Sequence, residues 1–180
     1  MGTALLLLGC GGTVPSYYVL TAEGPVPSGG GRSIGVGPVT LAEYVDRENL
    51  VIQSGPNQLQ IAESHLWAGD LDNAVARVTS INLGHQLRTG NVQIYPWQRD
   101  SEIDYQVTMD IREFHAGNDG FAHIEAGWRV YALPGRQLRA SRTFVGSEPI
   151  TAEDYPSVVA AQSRLLAKLA ADIAAGIKGR

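Results

Sequence analysis

Residues 103–112 read IDYQVTMDIR, and their strict alternation decides how the rest of the chain is read. Ile103, Tyr105, Val107, Met109 and Ile111 fall on one side of an extended backbone. Asp104, Gln106, Thr108, Asp110 and Arg112 fall on the other, the period of a half-buried strand. The pattern resumes beyond the turn residues Asn118, Asp119 and Gly120, where Ile124, Ala126, Trp128 and Val130 are the apolar positions. Pro134 and Gly135 turn the chain once more, into a third run over 138–145. Two turns between three such runs predict an antiparallel meander.

The first hairpin carries a parity problem. A symmetric turn at 118–120 sets His115 opposite His123 and Glu113 opposite Glu125, so odd positions pair with odd. The apolar residues are odd on the first strand and even on the second. The faces match only if a bulge near Arg112–Glu113 shifts the strand, and apolar Phe114 at an even position supports one. Glu113, His115, His123 and Glu125 then become neighbours and a candidate metal-ligating face. The simpler reading is a solvated polar hairpin tip.

Working outward, residues 17–20 (YYVL) give a first strand signal, and the Pro/Gly-rich stretch 21–32 reads as a loop. Short β-type runs follow at 33–41, 50–53 and 58–62, the last two joined by a hairpin break at Ser54–Asn57. A helix is predicted from an N-cap at Asp70 to about Leu87, burying Leu71, Ala74, Val75, Val78 and Ile81, with Gly90 ending the segment. Residues 92–97 read as another short strand. The last helix is predicted over 153–177, introduced by a capping-box-like start at Thr151–Asp154. Its apolar face is Tyr155, Val158, Val159, Leu165, Leu166, Leu169, Ile173 and Ile177, and its alanines allow close packing on the sheet. His65 and His85 have no convergent partners in the sequence and read as surface or packed histidines.

A chain of 180 residues suffices for one domain with its own core. Net charge is −4, and only Lys168 and Lys178 are lysines among the 14 basic residues. Without a basic run or face, nucleic acid is not an expected partner. Arg129, Arg136, Arg139 and Arg142 gather around the Pro134 turn, where they read as a solvated strand face or a contact for acidic partners or phospholipid headgroups.

Residues 4–10 read ALLLLGC, and Cys10 is the only cysteine. The apolar run is far short of the roughly 20 residues of a transmembrane helix. A leucine run, a small residue and a cysteine resemble the lipobox of bacterial lipoproteins, which makes Cys10 the expected lipid-attachment residue. Small Gly9 suits cleavage beside Cys10, whose sulfur takes the diacylglycerol. Two or more acyl chains anchor a protein stably. Residues 1–9 then form a signal peptide, shorter than usual and lacking the positive n-region, so a start further upstream is expected. Gly11 after the cysteine, rather than Asp, favours the outer membrane by resemblance to Gram-negative sorting rules. Residues 10–16 are the lipidated N-terminus and tether, and 17–180 the folded domain.

The order of several words along this domain resembles one family. They are Tyr17–Leu20, the run from Ile34 to Arg47 (IGVGPVTLAEYVDR), Leu66–Asp72, Tyr95–Trp97 and Ala161–Ser163. Together they are similar to the auxiliary lipoproteins of ABC-type transporters. The resemblance implies a single α/β domain with a mixed, largely antiparallel sheet flanked by two main helices. It also implies a non-enzymatic periplasmic subunit that partners an MCE-domain protein of a lipid-transport system, and it leaves room for ring-like homo-oligomers around the channel. It brings no catalytic residue, cofactor or metal. The alternative reading is a lipoprotein that itself carries a lipid or small apolar ligand between sheet and helix.

One enzyme-like word needs weighing. Residues 31–35 (GRSIG) match the G-x-S-x-G nucleophile elbow, which requires a strand before the serine and a helix after it. Ser33 instead follows a glycine-rich loop and precedes a β-type run. The glycines fit neither G-x-G-x-x-G nor a P-loop.

Overall fold

The computed structural model describes residues 14–98 and 101–179. The strands are β1 (Ser16–Tyr18), β2 (Ile34–Leu41), β3 (Asn49–Gly55), β4 (Gln58–Trp67), β5 (Val92–Ile94), β6 (Tyr105–Ala116), β7 (Phe121–Ala132) and β8 (Gln137–Pro149). Two helices interrupt them, α1 (Leu71–Leu87) and α2 (Tyr155–Ile177). The chain is thus a single α/β domain with a curled mixed sheet and two helices.

The quoted alternation became the central strand. β6 pairs antiparallel with β7 along its length, and β7 with β8, which is the predicted meander. On its other edge β6 meets two strands in succession. Its first half pairs in parallel with β2, and its end touches β3, where Ile52 lies beside Ala116. β2 carries parallel β5 at its outer edge, and β3 leads through antiparallel β4 to parallel β1. The sheet therefore forks at β6, because a strand of 12 residues outreaches each partner on that side.

Both helices cover one face. α2 packs on β7 and β8, α1 on β2 and β5, and the two lie against each other. Val107, Ile111, Ala126 and Val130 of the sheet and Leu165, Leu166, Leu169 and Ile173 of α2 have no exposed surface. At roughly 1.5–3 kcal/mol per buried aliphatic side chain, this layer dominates the stability. Polar residues of the helices hold the 21–32 loop across their seam. Arg77 donates to the Leu20 carbonyl (2.8 Å), the Glu23 amide to Asn82 Oδ1 (3.0 Å) and the Thr21 amide to Ser163 Oγ (3.1 Å).

Several boundaries differ from the sequence reading. α1 ends at Arg88, whose left-handed conformation (φ 56°) sends its N–H back to Gly84 and His85, so Gly90 lies beyond the cap. Asp70 holds the N-cap position without a side-chain hydrogen bond, and Ile81 is only half-buried while Asn82 and Leu83 face inward. The run at 92–97 is a strand only to Ile94. α2 starts at Tyr155, and its cap is Asp154, which accepts from the Ser157 amide at 2.7 Å; Thr151 lies outside the helix. The cap interaction holds the Asp154 carboxyl below its ordinary range.

Candidate functional site

Cys10, the expected lipid-attachment residue, lies outside the described residues. The folded domain offers two other places to examine, the β6–β7 hairpin tip and the open face of the meander.

The bulge stands where Phe114 announced it. Ile111 pairs with Ala126 and Glu113 with Glu125, leaving Arg112 as the extra residue. Beyond it His115 pairs with His123, so the four candidate residues are cross-strand neighbours. They do not converge as ligands. Arg112 takes Glu125 at 2.9 Å and Asp110 at 3.1 Å, and Asp119 takes His123 at 3.1 Å. Among the described residues no group of three or more His, Cys, Asp and Glu side chains could hold a metal ion.

A wholly solvated tip is also wrong for one member. His115 is only 5 % exposed, between the rings of Tyr44 (6.3 Å) and His123 (5.9 Å). Burial pushes its pKa down, so the ring is held neutral. Tyr44, from the loop after β2, donates to the Arg112 carbonyl at 2.9 Å and so satisfies the acceptor that the bulge frees. Burial, with Glu113 and Glu125 nearby, raises its phenol to about 12. The tip is thus a polar network closed on itself, with Tyr44 as the residue that sequence reasoning missed; its place in the word at 34–47 was the available signal.

The face of β6–β7–β8 away from the helices is open. Its cross-strand rows read Thr108–Arg129–Ser141 and Asp110–Gly127–Thr143, with Thr40 of β2 bonded to Asp110 at 3.1 Å. Arg112 lies over Gly127, where a Cβ would come within 2.9 Å of its guanidinium. These hydroxyls and guanidinium groups line an open groove of about 490 Å³. The four arginines near the Pro134 turn do not all share it. Arg136 sits over the Tyr131 ring (5.2 Å), Arg139 is the extra residue where β8 shifts register, and Arg142 reaches Asp172 on α2 at 3.2 Å. Arg129 and Arg142 of the four line the groove.

Ser33 is no exposed nucleophile. It is 4 % exposed, its amide donates to Asp104 (2.7 Å), and β2 follows it directly where a nucleophile elbow needs a helix. His65, read as lacking partners, has two. It bonds Tyr18 through Nδ1 (2.8 Å) and stacks on Tyr155 at 3.5 Å between centroids. His85 lies against the Pro25 carbonyl.

The words that carry the family resemblance meet in space. A Cβ on Gly35 would come within 2.7 Å of the Trp97 ring, and one on Gly37 within 2.6 Å of Tyr95. Gly37 also has φ 124°, a conformation side chains avoid. The loop 95–97 therefore lies on β2 because two glycines clear a path for it. The Ala68 amide bonds the Tyr18 carbonyl (2.9 Å), and Ser163 holds Thr21. A curled sheet with one face under two helices, stitched by these contacts, is the module that carries these words.

The sequence match gives that module its family. The chain belongs to the ABC-type transport auxiliary lipoprotein component family, matched over residues 18–174. It is 26 % identical to the intermembrane transport lipoprotein PqiC of Escherichia coli K12, over 97 % of this chain and 94 % of the relative, and equally to that of Shigella flexneri. Solved structures share the fold. One uncharacterised protein superposes with a TM-score of 0.77 at 24 % identity, covering 92 % of this chain and 99 % of its own. A Xanthomonas campestris protein reaches 0.66 at 20 %, covering 93 % and 95 %. No helix among the described residues is long and apolar enough to cross a membrane.

Proposed function

We propose that this protein is a non-enzymatic lipoprotein subunit of an MCE/ABC-type intermembrane lipid-transport system. Acyl chains on Cys10 anchor it to the periplasmic face of the outer membrane. There it docks a PqiB-like MCE-domain channel and supports membrane integrity. The observation that carries this is the family match across nearly the whole folded domain, joined to near-full-length similarity with PqiC.

The geometry supports a positional role. Anchoring confines the domain to one surface and so raises its effective concentration at a partner held there. The other reading, carriage of a lipid between sheet and helices, meets a filled layer. Trp128 of β7 is 1 % exposed, lies against Gly176 of α2, and donates to Asp172 at 2.8 Å. A hollow of about 560 Å³ between the 117–120 turn and the start of α2 is an open surface groove.

Affinity purification of the acylated protein from its own membranes tests the choice. Recovery of an MCE-domain protein is the expected result. Stoichiometric phospholipid in the purified domain, with no protein partner, would reverse it in favour of the carrier.

A further inference from the structure

The turn end of the β3–β4 hairpin is free of charged side chains. From Asn49 to Ala62, through the β3–β4 turn, the chain has no ionisable side chain, and residues 1–22 have no Asp, Glu, Lys, Arg or His either. Charged residues make up 18 % of the protein, so two such stretches stand out. β1 pairs in parallel with β4 beyond the charge-free stretch, Ser16 beside His65. The N-terminal end of β1 therefore faces the β3–β4 turn.

That end also exposes apolar surface. Leu59 and Ile61 on β4 are 42 % and 43 % exposed, and Phe121 is 40 % exposed at the start of β7. The two turns stand side by side, Asn118 Nδ2 donating to the Ser54 carbonyl at 3.4 Å.

Chain length then sets the geometry. Along β4 the hairpin extends about 23 Å from His65 to Gln58, at roughly 3.3 Å per residue. From Ser16 back to Cys10 the chain reaches about 20 Å at full extension. In the direction β1 faces, the hairpin projects at least as far as the acylated residue can.

We propose that the β3–β4 turn rests in the headgroup layer of the membrane that carries the Cys10 acyl chains, with Leu59 and Ile61 as its contacts. The proposal rests on Cys10 being the lipid-attachment residue. The contact is shallow. Asn57, Gln58 and Gln60 need water or headgroup partners, and Asp119 with its His123 stands on the neighbouring turn, so the hydrocarbon core is excluded. With no Lys or Arg on the hairpin, the contact has no preference for anionic lipid and little salt dependence. The domain is thereby oriented: the Pro134 turn, at the other end of β7 and β8, points away from the bilayer.

Single cysteines at Asn57, Leu59 and Arg139, each added to the acylated full-length protein and carrying an environment-sensitive fluorophore, test this in phosphatidylcholine vesicles containing spin-labelled lipid. Positions 57 and 59 should be blue-shifted and quenched at least about twofold more than position 139, in low and high salt alike. Equal, water-like signals at all three positions, in protein whose mass shows acyl chains on Cys10, would overturn the orientation alone. A mass without acyl chains on Cys10 would overturn the anchor reading and this inference with it.

Discussion

Tyr44 shows how one side chain completes a piece of sheet. The bulge at Arg112 removes a carbonyl from the β6–β7 ladder, and the Tyr44 hydroxyl is the donor that replaces the lost partner. Tyr44→Phe keeps the ring and removes that donor, so it should lower unfolding stability by about 1 kcal/mol, measurable by urea titration. The titration behaviour has a definite sign. Tyr44 ionises at about 12 in the fold, above its ordinary value. The folded state thus holds the proton where the unfolded chain has released it, and stability falls as pH rises from about 10 to about 12. Tyr44→Phe should flatten that slope. His115 works at the other end of the scale. Its pKa is lowered by burial, so the unfolded chain binds the proton first, and stability falls as pH drops below about 6.5. A His115→Gln variant whose acid limb has the same slope as the parent's would remove His115 from that account.

Between elements, the seam of α2 with β7 and β8 rests on two devices far apart in sequence. Glu148, 6 % exposed on β8, bonds Arg164 at 2.9 Å and Lys168, both on α2. Lys168, opposed in part by burial and aided by Arg164, holds its carboxyl below the ordinary range. That stability is present above the unfolded carboxyl pKa, about 4.3, and is lost as pH falls through the depressed folded value. Both cations keep contact with solvent, so Glu148→Gln leaves no stranded buried charge and should destabilise by about 1–2 kcal/mol. The second device is Gly176, over which Trp128 lies. Elsewhere in a helix Gly→Ala stabilises by about 0.5–1 kcal/mol. Here the methyl group meets the indole and the Ala140 side chain, and overpacking of about 1–3 kcal/mol should win. A Gly176→Ala protein with a raised melting temperature would show that the helix can move off Trp128 without loss.

At the scale of the whole molecule, local periodicity reached some features and not others. The meander, the bulge and both helices were legible because side-chain period and parity are written in consecutive residues; the parity mismatch of the two strands, together with Phe114, exposed the bulge. The parallel pairing of β2 with β6 was not legible, since alternation names a face but not a neighbour. Nor was the burial of His115, which depends on a tyrosine about 70 positions away in the chain. The same separation between local and global features bears on the anchor. The buried core begins at Leu20 and closes on α2, and no core residue precedes it among those described. Replacing Cys10 should therefore leave the domain's stability within about 0.5 kcal/mol while abolishing acylation. Cys10→Ala protein should fractionate as soluble, with an unchanged unfolding midpoint and no lipid mass on the chain. Membrane fractionation equal to the parent's would show that contacts of the folded domain, rather than the acyl chains, hold the protein to the bilayer. A lowered midpoint would instead make the N-terminus part of the fold. The separation of these outcomes follows from the physics of the two parts: a core whose described residues start at Leu20, and a proposed anchor that would draw its strength from buried methylenes.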